Sequence, residues 1–267
     1  MISKKDLKIV PLFGFDLCGS SKGEVLALVR RNQVEKEKLF IATPNPEFIV
    51  FAGRNRWFKK TLLSADILIP DGIGLVWASR LLSAKAESLK KTIPGVDFTL
   101  DLLSLAAKQD LSVYFFGATP GVADKALVEM KQKYPGLKGW VNSGPVLRLD
   151  GNGHWQGKSR RALTAVVKDI NEKKPDFLFV ALGMGKQEKF IADYLPRLKT
   201  KVAIGVGGTF DYLSFKTQRA PLWLRNLGLE WLYRLVKEPW RLGRQTRLIT
   251  FLWLVLTTWI KKTFKSV

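Results

Sequence analysis

Asp71 follows the apolar run Ile67-Leu68-Ile69-Pro70 and precedes Gly72-Ile73-Gly74. A carboxylate in that place stands at the exit of a buried strand, where ligands meet open α/β sheets, and it is suited to act as a general base. It is equally suited to cap the helix that begins near Ile73, because aspartate accepts from the orphan N–H groups of a first helical turn. The stretch alone leaves both roles open. Two further apolar runs end in polar side chains. Lys38–Ala42 leads into Thr43-Pro44-Asn45-Pro46-Glu47, and Phe177–Leu182 leads into Gly183-Met184-Gly185-Lys186-Gln187-Glu188. A fourth run, Ser112–Phe116, ends at Gly117-Ala118-Thr119-Pro120-Gly121, a turn that can cradle a phosphate at a helix start. It lacks the G-x-G-x-x-G spacing, and a plain tight turn accounts for it better. No metal site is expected. Asp66 and Asp71 are too far apart for a D-x-D pair, and His154, the sole histidine, lies in the polar loop Asp150-Gly151-Asn152-Gly153 with no second histidine or cysteine to share an ion.

The elements that must position these groups follow from pattern. Leu7–Phe15 reads as an opening strand or hairpin arm, and Ser20–Asn32 as a helix with Ser21 and Glu24 as a capping box. Helical periodicity covers Phe48–Leu63, the stretch after Asp71 to Leu82, Val96–Lys108, a segment ending at Tyr134, and Ser159–Asn171. Val202–Val206 is the last strand, ending at Gly207-Gly208-Thr209-Phe210-Asp211. Leu137–Trp155 reads as a glycine-rich hairpin or excursion. Strands alternating with helices imply right-handed crossovers and a largely parallel sheet. The exits carrying Thr43 with Asn45, Asp71, and Lys186 with Gln187 should then face one crevice.

Beyond Asp211 the character changes. Arg219-Ala220-Pro221 interrupts the chain, and Leu222–Arg247 reads as helical with basic and aromatic residues interleaved. Arg234, Arg241 and Arg244 share one helix face if that helix continues through Pro239. The whole chain has 44 basic and 23 acidic residues, a net charge of +21, which points to an anionic partner. The last 52 residues carry +9 of that charge and five of the nine tryptophans. Basic and tryptophan-rich composition fits an interfacial membrane segment. Leu248–Ile260, a largely apolar run of thirteen residues between Arg247 and Lys261-Lys262, is short of the roughly 20 that span a bilayer. Cys18 is the only cysteine, so a reducing compartment is expected. Met1–Ser20 lacks a continuous apolar core and reads as no signal peptide.

Several motifs in order resemble the WecG/TagA/CpsF family of glycosyltransferases. These are Thr43-x-Asn45, Ile69-Pro70-Asp71-Gly72-x-Gly74, Pro94-Gly95-Val96-Asp97, Gly185-Lys186-Gln187-Glu188, Arg219-Ala220-Pro221, Glu230-Trp231-x-x-Arg234-Leu235 and Glu238-Pro239-x-Arg241. The resemblance implies a Rossmann-like α/β domain over 1–212, a basic and aromatic helical appendage over 213–247 that completes the active site, and a membrane-associating tail over 248–267. It implies inverting transfer of an N-acetylmannosamine-type sugar from a UDP donor to a polyprenyl-diphosphate-linked N-acetylglucosamine, as in teichoic acid linkage units, common antigen or capsule. Asp71 would be the base. Thr43, Asn45 and Gln187 would line the sugar and acceptor pocket, with Arg219 also on the substrate side, and Arg234, Arg241 and Arg244 would reach the diphosphate. No cofactor is expected, because fixed arginines rather than a metal would stabilise the departing diphosphate. The setting would be peripheral, on the cytoplasmic face of an anionic membrane, without nucleic acid; the sequence is compatible with a homo-oligomer and does not fix the oligomeric state. The chain departs from the family at Phe215, where a glycine is frequent, and at Lys90-Lys91-Thr92, where an arginine is usual. Its Gly144–Trp155 excursion is also longer. The alternative is a basic α/β protein that binds nucleic acid, which needs a basic stripe across the sheet domain. A nicotinamide enzyme would need the glycine fingerprint that is missing here.

Overall fold

The computed structural model describes residues 6–35, 37–83, 85–239 and 242–265. The chain opens with β1 (Ile9–Leu12) and β2 (Phe15–Cys18), an antiparallel hairpin. Its turn residues Phe13 and Gly14 have φ of 53° and 78°, the two positive values that a two-residue type I′ turn needs. Helix α1 (Lys22–Glu35) carries the expected capping box: Glu24 accepts the Ser21 N–H at 2.7 Å, and Ser21 Oγ accepts the Glu24 N–H at 3.3 Å. Then follow β3 (Leu39–Ala42), α2 (Pro46–Arg54), α3 (Arg56–Leu63), β4 (Ile67–Leu68), α4 (Ile73–Leu82) and α5 (Gly95–Lys108). The centre of the chain forms β5 (Ser112–Gly117), α6 (Val122–Lys133), β6 (Lys138–Asn142), α7 (Gly157–Lys173), β7 (Phe177–Ala181), α8 (Lys186–Tyr194), β8 (Val202–Gly205) and α9 (Thr209–Leu213).

Among the described residues the strands form one sheet in the order β1-β2-β4-β3-β8-β7-β5-β6, parallel throughout except for the β1–β2 hairpin. Both faces are covered. Phe40, Tyr114, Phe116, Leu178 and Val180 pack with Phe48, Phe58, Leu75, Leu163 and Phe190 on one side. Their neighbours Leu39, Ile41, Val113, Phe115, Phe177 and Phe179 pack with Val25, Phe98, Leu127 and Phe210 on the other. Burial on both faces is why these strands read as unbroken apolar runs.

Three sequence expectations change. The single helix expected over Phe48–Leu63 is two, because Asn55 leaves the helical region (φ −130°, ψ 100°) while the apolar period continues past it. Within the stretch read as an excursion, Lys138–Asn142 is a parallel edge strand on β5. Only residues after it form the excursion, closed by the Leu149–Trp155 bridge and by Trp155 Nε1 donating to Asp193 at 2.9 Å. There His154 is exposed, and its N–H donates to Asp150. The third change concerns the C-terminal segment, which divides into α10 (Leu222–Asn226), α11 (Glu230–Lys237) and α12 (Leu242–Lys265). Helix α11 stops before Pro239, which has no N–H to donate and crowds the preceding turn. Arg234 therefore does not share a helix with Arg244, which sits in the first turn of α12; Arg241 and the side chain of Arg244 lie outside the described residues. Phe215 has a φ of 55°, a left-handed backbone that glycine adopts most easily.

Helix α12 runs unbroken across position 248 and packs on α2 and α4. Phe251 and Val255 are buried, the Phe251 ring meets Phe13 edge-on at 5.7 Å, Arg247 pairs with Glu47 at 3.6 Å, and Lys262 Nζ donates to the Leu82 carbonyl at 2.6 Å. Its outer face exposes Ile249, Leu252, Trp253, Leu256, Trp259 and Ile260. No helix of the described residues is long and apolar enough to cross a membrane.

Candidate active site

Strands β4, β3, β8 and β7 are consecutive in the sheet, so the exits singled out in the sequence are neighbours. Hydrogen bonds join them in series. The Asp71 N–H donates to the Pro44 carbonyl at 2.8 Å, linking the β4 and β3 exits. Thr43 Oγ1, buried, donates to the Gly205 carbonyl at 3.3 Å, linking β3 to β8. The Gly207 N–H donates to Gln187 Oε1 at 3.0 Å, linking β8 to β7. The glycine turn after β8, Gly205-Val206-Gly207-Gly208, is thus where the β3 and β7 exits meet, and the Asp71 exit joins them through Pro44.

Asp71 does not cap α4. The residue before that helix is Gly72, at φ 95°, and no side chain caps it. The Asp71 carboxyl instead lies against the first turn of α5. A Cβ built on Gly95 would be 3.7 Å from Asp71 Oδ2 and 3.6 Å from Thr43 Oγ1. The residue keeps partial solvent contact, while protein atoms crowd its carboxyl, and this burial raises its pKa to about 7. The charges of Glu230 and Asp97 push the same way; the Gly95 N–H and the Arg219 charge oppose them. The carboxyl is then near half-ionised at neutral pH, the range in which a general base is most effective.

The remaining expected residues divide by environment. Asn45 Oδ1 accepts the Phe48 N–H at 3.2 Å and caps α2. Gln187 is 2% exposed, with its amide bonded to Glu188 and Gly207. Arg219 is occupied by Asp97 and Glu230, and these two carboxylates hold its pKa above the ordinary guanidinium range. Arg234 is different. Its guanidinium lies 4.6 Å from the Tyr212 ring centre, Nε is 3.8 Å from Glu238, and neither Nε nor Nη2 has a hydrogen-bond partner although both are buried. A Cβ on Gly208 would be 3.2 Å from Nη2, which sets this cation beside the β8 exit.

Sequence reasoning missed Glu188, Glu230, Gly95 and Asp97 as parts of this arrangement. Their motifs were visible; Asp97 and Glu230 act on Arg219 and Asp71 from far away in the chain, and the bonds of Glu188 to Gly185 and Gln187, though local, gain their meaning from the distant Gly207. Among the described residues no three His, Cys, Asp or Glu side chains are grouped to hold a metal ion. A cleft of about 630 Å³ lies elsewhere, at the sheet edge beyond β5, between Asn142–Pro145 and α7. Its carboxylate, Asp169, accepts from the Tyr114 hydroxyl and the Asn142 amide, so the cleft is separate from the exits described above.

Residues 10–265 match the model of the "Glycosyl transferase WecG/TagA/CpsF family". Three relatives bear the name N-acetylglucosaminyldiphosphoundecaprenol N-acetyl-beta-D-mannosaminyltransferase. The protein of Bacillus subtilis (strain 168) is 36% identical over 204 residues, covering 76% of this chain and 73% of the relative. That of Bacillus spizizenii (strain ATCC 23059 / NRRL B-14472 / W23) is 32% identical over 247 residues, 92% and 90% of the two chains. That of Staphylococcus aureus (strain MRSA252) is 31% identical over 215 residues, 80% and 78%. With a match that runs nearly from end to end, this chain belongs to the WecG/TagA/CpsF family of glycosyltransferases.

Proposed function

We propose that the protein transfers an N-acetylmannosamine-type sugar from a UDP donor to a polyprenyl-diphosphate-linked N-acetylglucosamine, with inversion at the anomeric carbon. The names of the relatives support the sugar and the acceptor class. The observation that carries the catalytic assignment is Asp71, a carboxyl at a strand exit with a pKa of about 7. Its carboxylate takes the proton of the acceptor hydroxyl as that oxygen bonds the anomeric carbon and the bond to the UDP oxygen breaks. Negative charge then grows on the departing diphosphate. Arg234, with two nitrogens lacking partners, supplies fixed positive charge for it, with Arg241 and Arg244 as further candidates, and the reaction runs without a metal.

The acceptor lipid stays in the bilayer, so the crevice must reach the headgroup plane. The outer face of α12, with Trp253, Trp259 and the exposed Lys261, suits peripheral attachment to the anionic cytoplasmic surface, where a basic residue contributes about 1 kcal/mol. Trp77 and Leu81 of α4 are also exposed. Incubating the protein with a panel of UDP-sugars and a lipid-diphosphate N-acetylglucosamine analogue, with and without chelator, tests the reading by product mass. One hexosamine should be added from the N-acetylmannosamine donor in both conditions. No product with any donor would refute the assignment.

A further inference from the structure

Glu188 is fully buried in the first turn of α8, just after the β7 exit, and the catalytic reading makes no use of it. Its Oε2 accepts the Gly185 N–H at 2.7 Å, and its Oε1 accepts from Gln187 Nε2 at 2.7 Å. The other end of that amide, Gln187 Oε1, accepts the Gly207 N–H. We propose that Glu188 is a positioning residue: it orients the Gln187 amide, and the oriented amide holds the glycine turn after β8 on which Thr43 and Arg234 rest.

The polarity of the chain of hydrogen bonds carries the argument. Both ends are backbone donors, Gly185 N–H and Gly207 N–H, and neither can reverse. Between them a carboxylate and an amide fit, because a carboxylate only accepts while an amide has one donor end and one acceptor end. Two amides would not fit, since at one junction a donor must then face a donor. Glu188 therefore decides which way Gln187 points. The fit is also steric. A Cβ on Gly205 would lie 2.9 Å from both Gln187 Nε2 and Glu188 Oε1, so the pair occupies the space beside a bare backbone. The same turn receives the Thr43 hydroxyl at Gly205 and faces Arg234 at Gly208. Burial raises the Glu188 carboxyl to about 7, while the Gln187 amide and the Gly185 N–H hold it down. A plain helix cap would need only the bond from Gly185.

The test is a swap. Glu188→Gln keeps an acceptor for Gly185 but leaves a buried donor unmatched, so donor kcat/KM should fall about tenfold, mostly through KM. The double variant Gln187→Glu with Glu188→Gln restores every bond in the chain and should return the thermal unfolding midpoint to within about 2 °C of the wild type. An unaffected Glu188→Gln variant would mean the residue is only a cap, and a swap whose midpoint does not recover would mean the paired donors and acceptors are not what holds the turn; either overturns the proposal. If Glu188→Gln does not fold, Gln187→Met, which leaves Glu188 on Gly185 but removes the bond from Gly207, should lower the unfolding midpoint by about 5 °C, and an unchanged midpoint overturns it. The activity readout rests on the transferase reading, whereas thermal unfolding does not. Should wild-type protein make no product, the midpoint should still fall by about 5 °C in Glu188→Gln and recover in the swap, and a swap without recovery again overturns the proposal.

Discussion

Arg219 grips Asp97 with both terminal nitrogens, at 2.5 and 3.3 Å, while its Nε donates to Glu230 at 3.2 Å. Asp97 belongs to the first turn of α5, the helix against which Asp71 lies, and Glu230 opens α11. One side chain thus fastens the C-terminal segment to the helix beside the proposed base. Arg219→Gln should lower stability by about 2 kcal/mol. That is less than the loss of a fully buried ion pair, because the side chains of Asp97 and Glu230 are 32% and 25% exposed and water screens the pairs. The denaturation midpoint measures it.

The same clasp sets the charge around Asp71. The ionised form of Asp71 does the work, so kcat/KM should rise with pH through an apparent pKa near 7. Glu230 raises that value and Arg219 lowers it. Glu230→Gln should therefore move the acidic limb to lower pH, and Arg219→Gln should move it higher. If both variants titrate where the wild type does, the limb belongs to another group.

Asp71→Asn should reduce kcat by at least about a hundredfold, since general-base catalysis contributes on that order, while UDP still binds. It should also change stability in a defined direction. The folded pKa of Asp71 lies above its ordinary value, so in the wild type its contribution is most favourable below pH 4 and is lost as pH rises to about 7. Asparagine does not ionise. The melting temperature of the variant relative to wild type should thus be higher at pH 8 than at pH 5, which paired thermal scans can check.

Arg234 has no hydrogen-bond partner for Nε and Nη2, yet is stacked over Tyr212. Arg234→Ala should raise the donor KM by about tenfold or more, because charge-assisted bonds to phosphate are among the stronger polar contacts. Arg234→Lys should recover only part of this, since a lysine offers a point charge in place of a planar fork. Isothermal titration with UDP separates the binding loss from any loss of fold.

What could be read in the sequence follows from range. The apolar strands and their glycine-led exits are local patterns, and Asp71 was visible because a carboxylate after Ile67–Pro70 is conspicuous. Strand β6 was hidden because Lys138–Asn142 is a half-exposed edge with no clean alternation. Asn55 broke α2 from α3 without disturbing the apolar period. The roles of Arg219 and Gln187 were less accessible still. Arg219 meets Asp97 from 122 positions away, and Gln187 meets Gly207 from 20, and no local pattern records such pairings.

Helix α12 turns one side to α2 and α4, and a row of apolar side chains outward. Trp253 and Trp259 are 66% and 42% exposed, and the exposed Lys261 follows them. The buried side, through Phe251 and Val255, already belongs to the core, so deleting the helix would damage the fold as well as any membrane contact. Surface substitutions separate the two. Trp253→Ser with Trp259→Ser should weaken co-sedimentation with vesicles containing anionic lipid by about tenfold or more, since interfacial binding scales with the apolar area inserted. The melting temperature should stay within about 2 °C, because neither ring is part of the core. Higher salt should weaken the wild type further, as the lysine contribution is screened within a Debye length of about 8 Å at physiological ionic strength. Vesicle binding that withstands both the substitutions and salt would place the membrane contact on another face, of which α4 with Trp77 and Leu81 would be the first to examine.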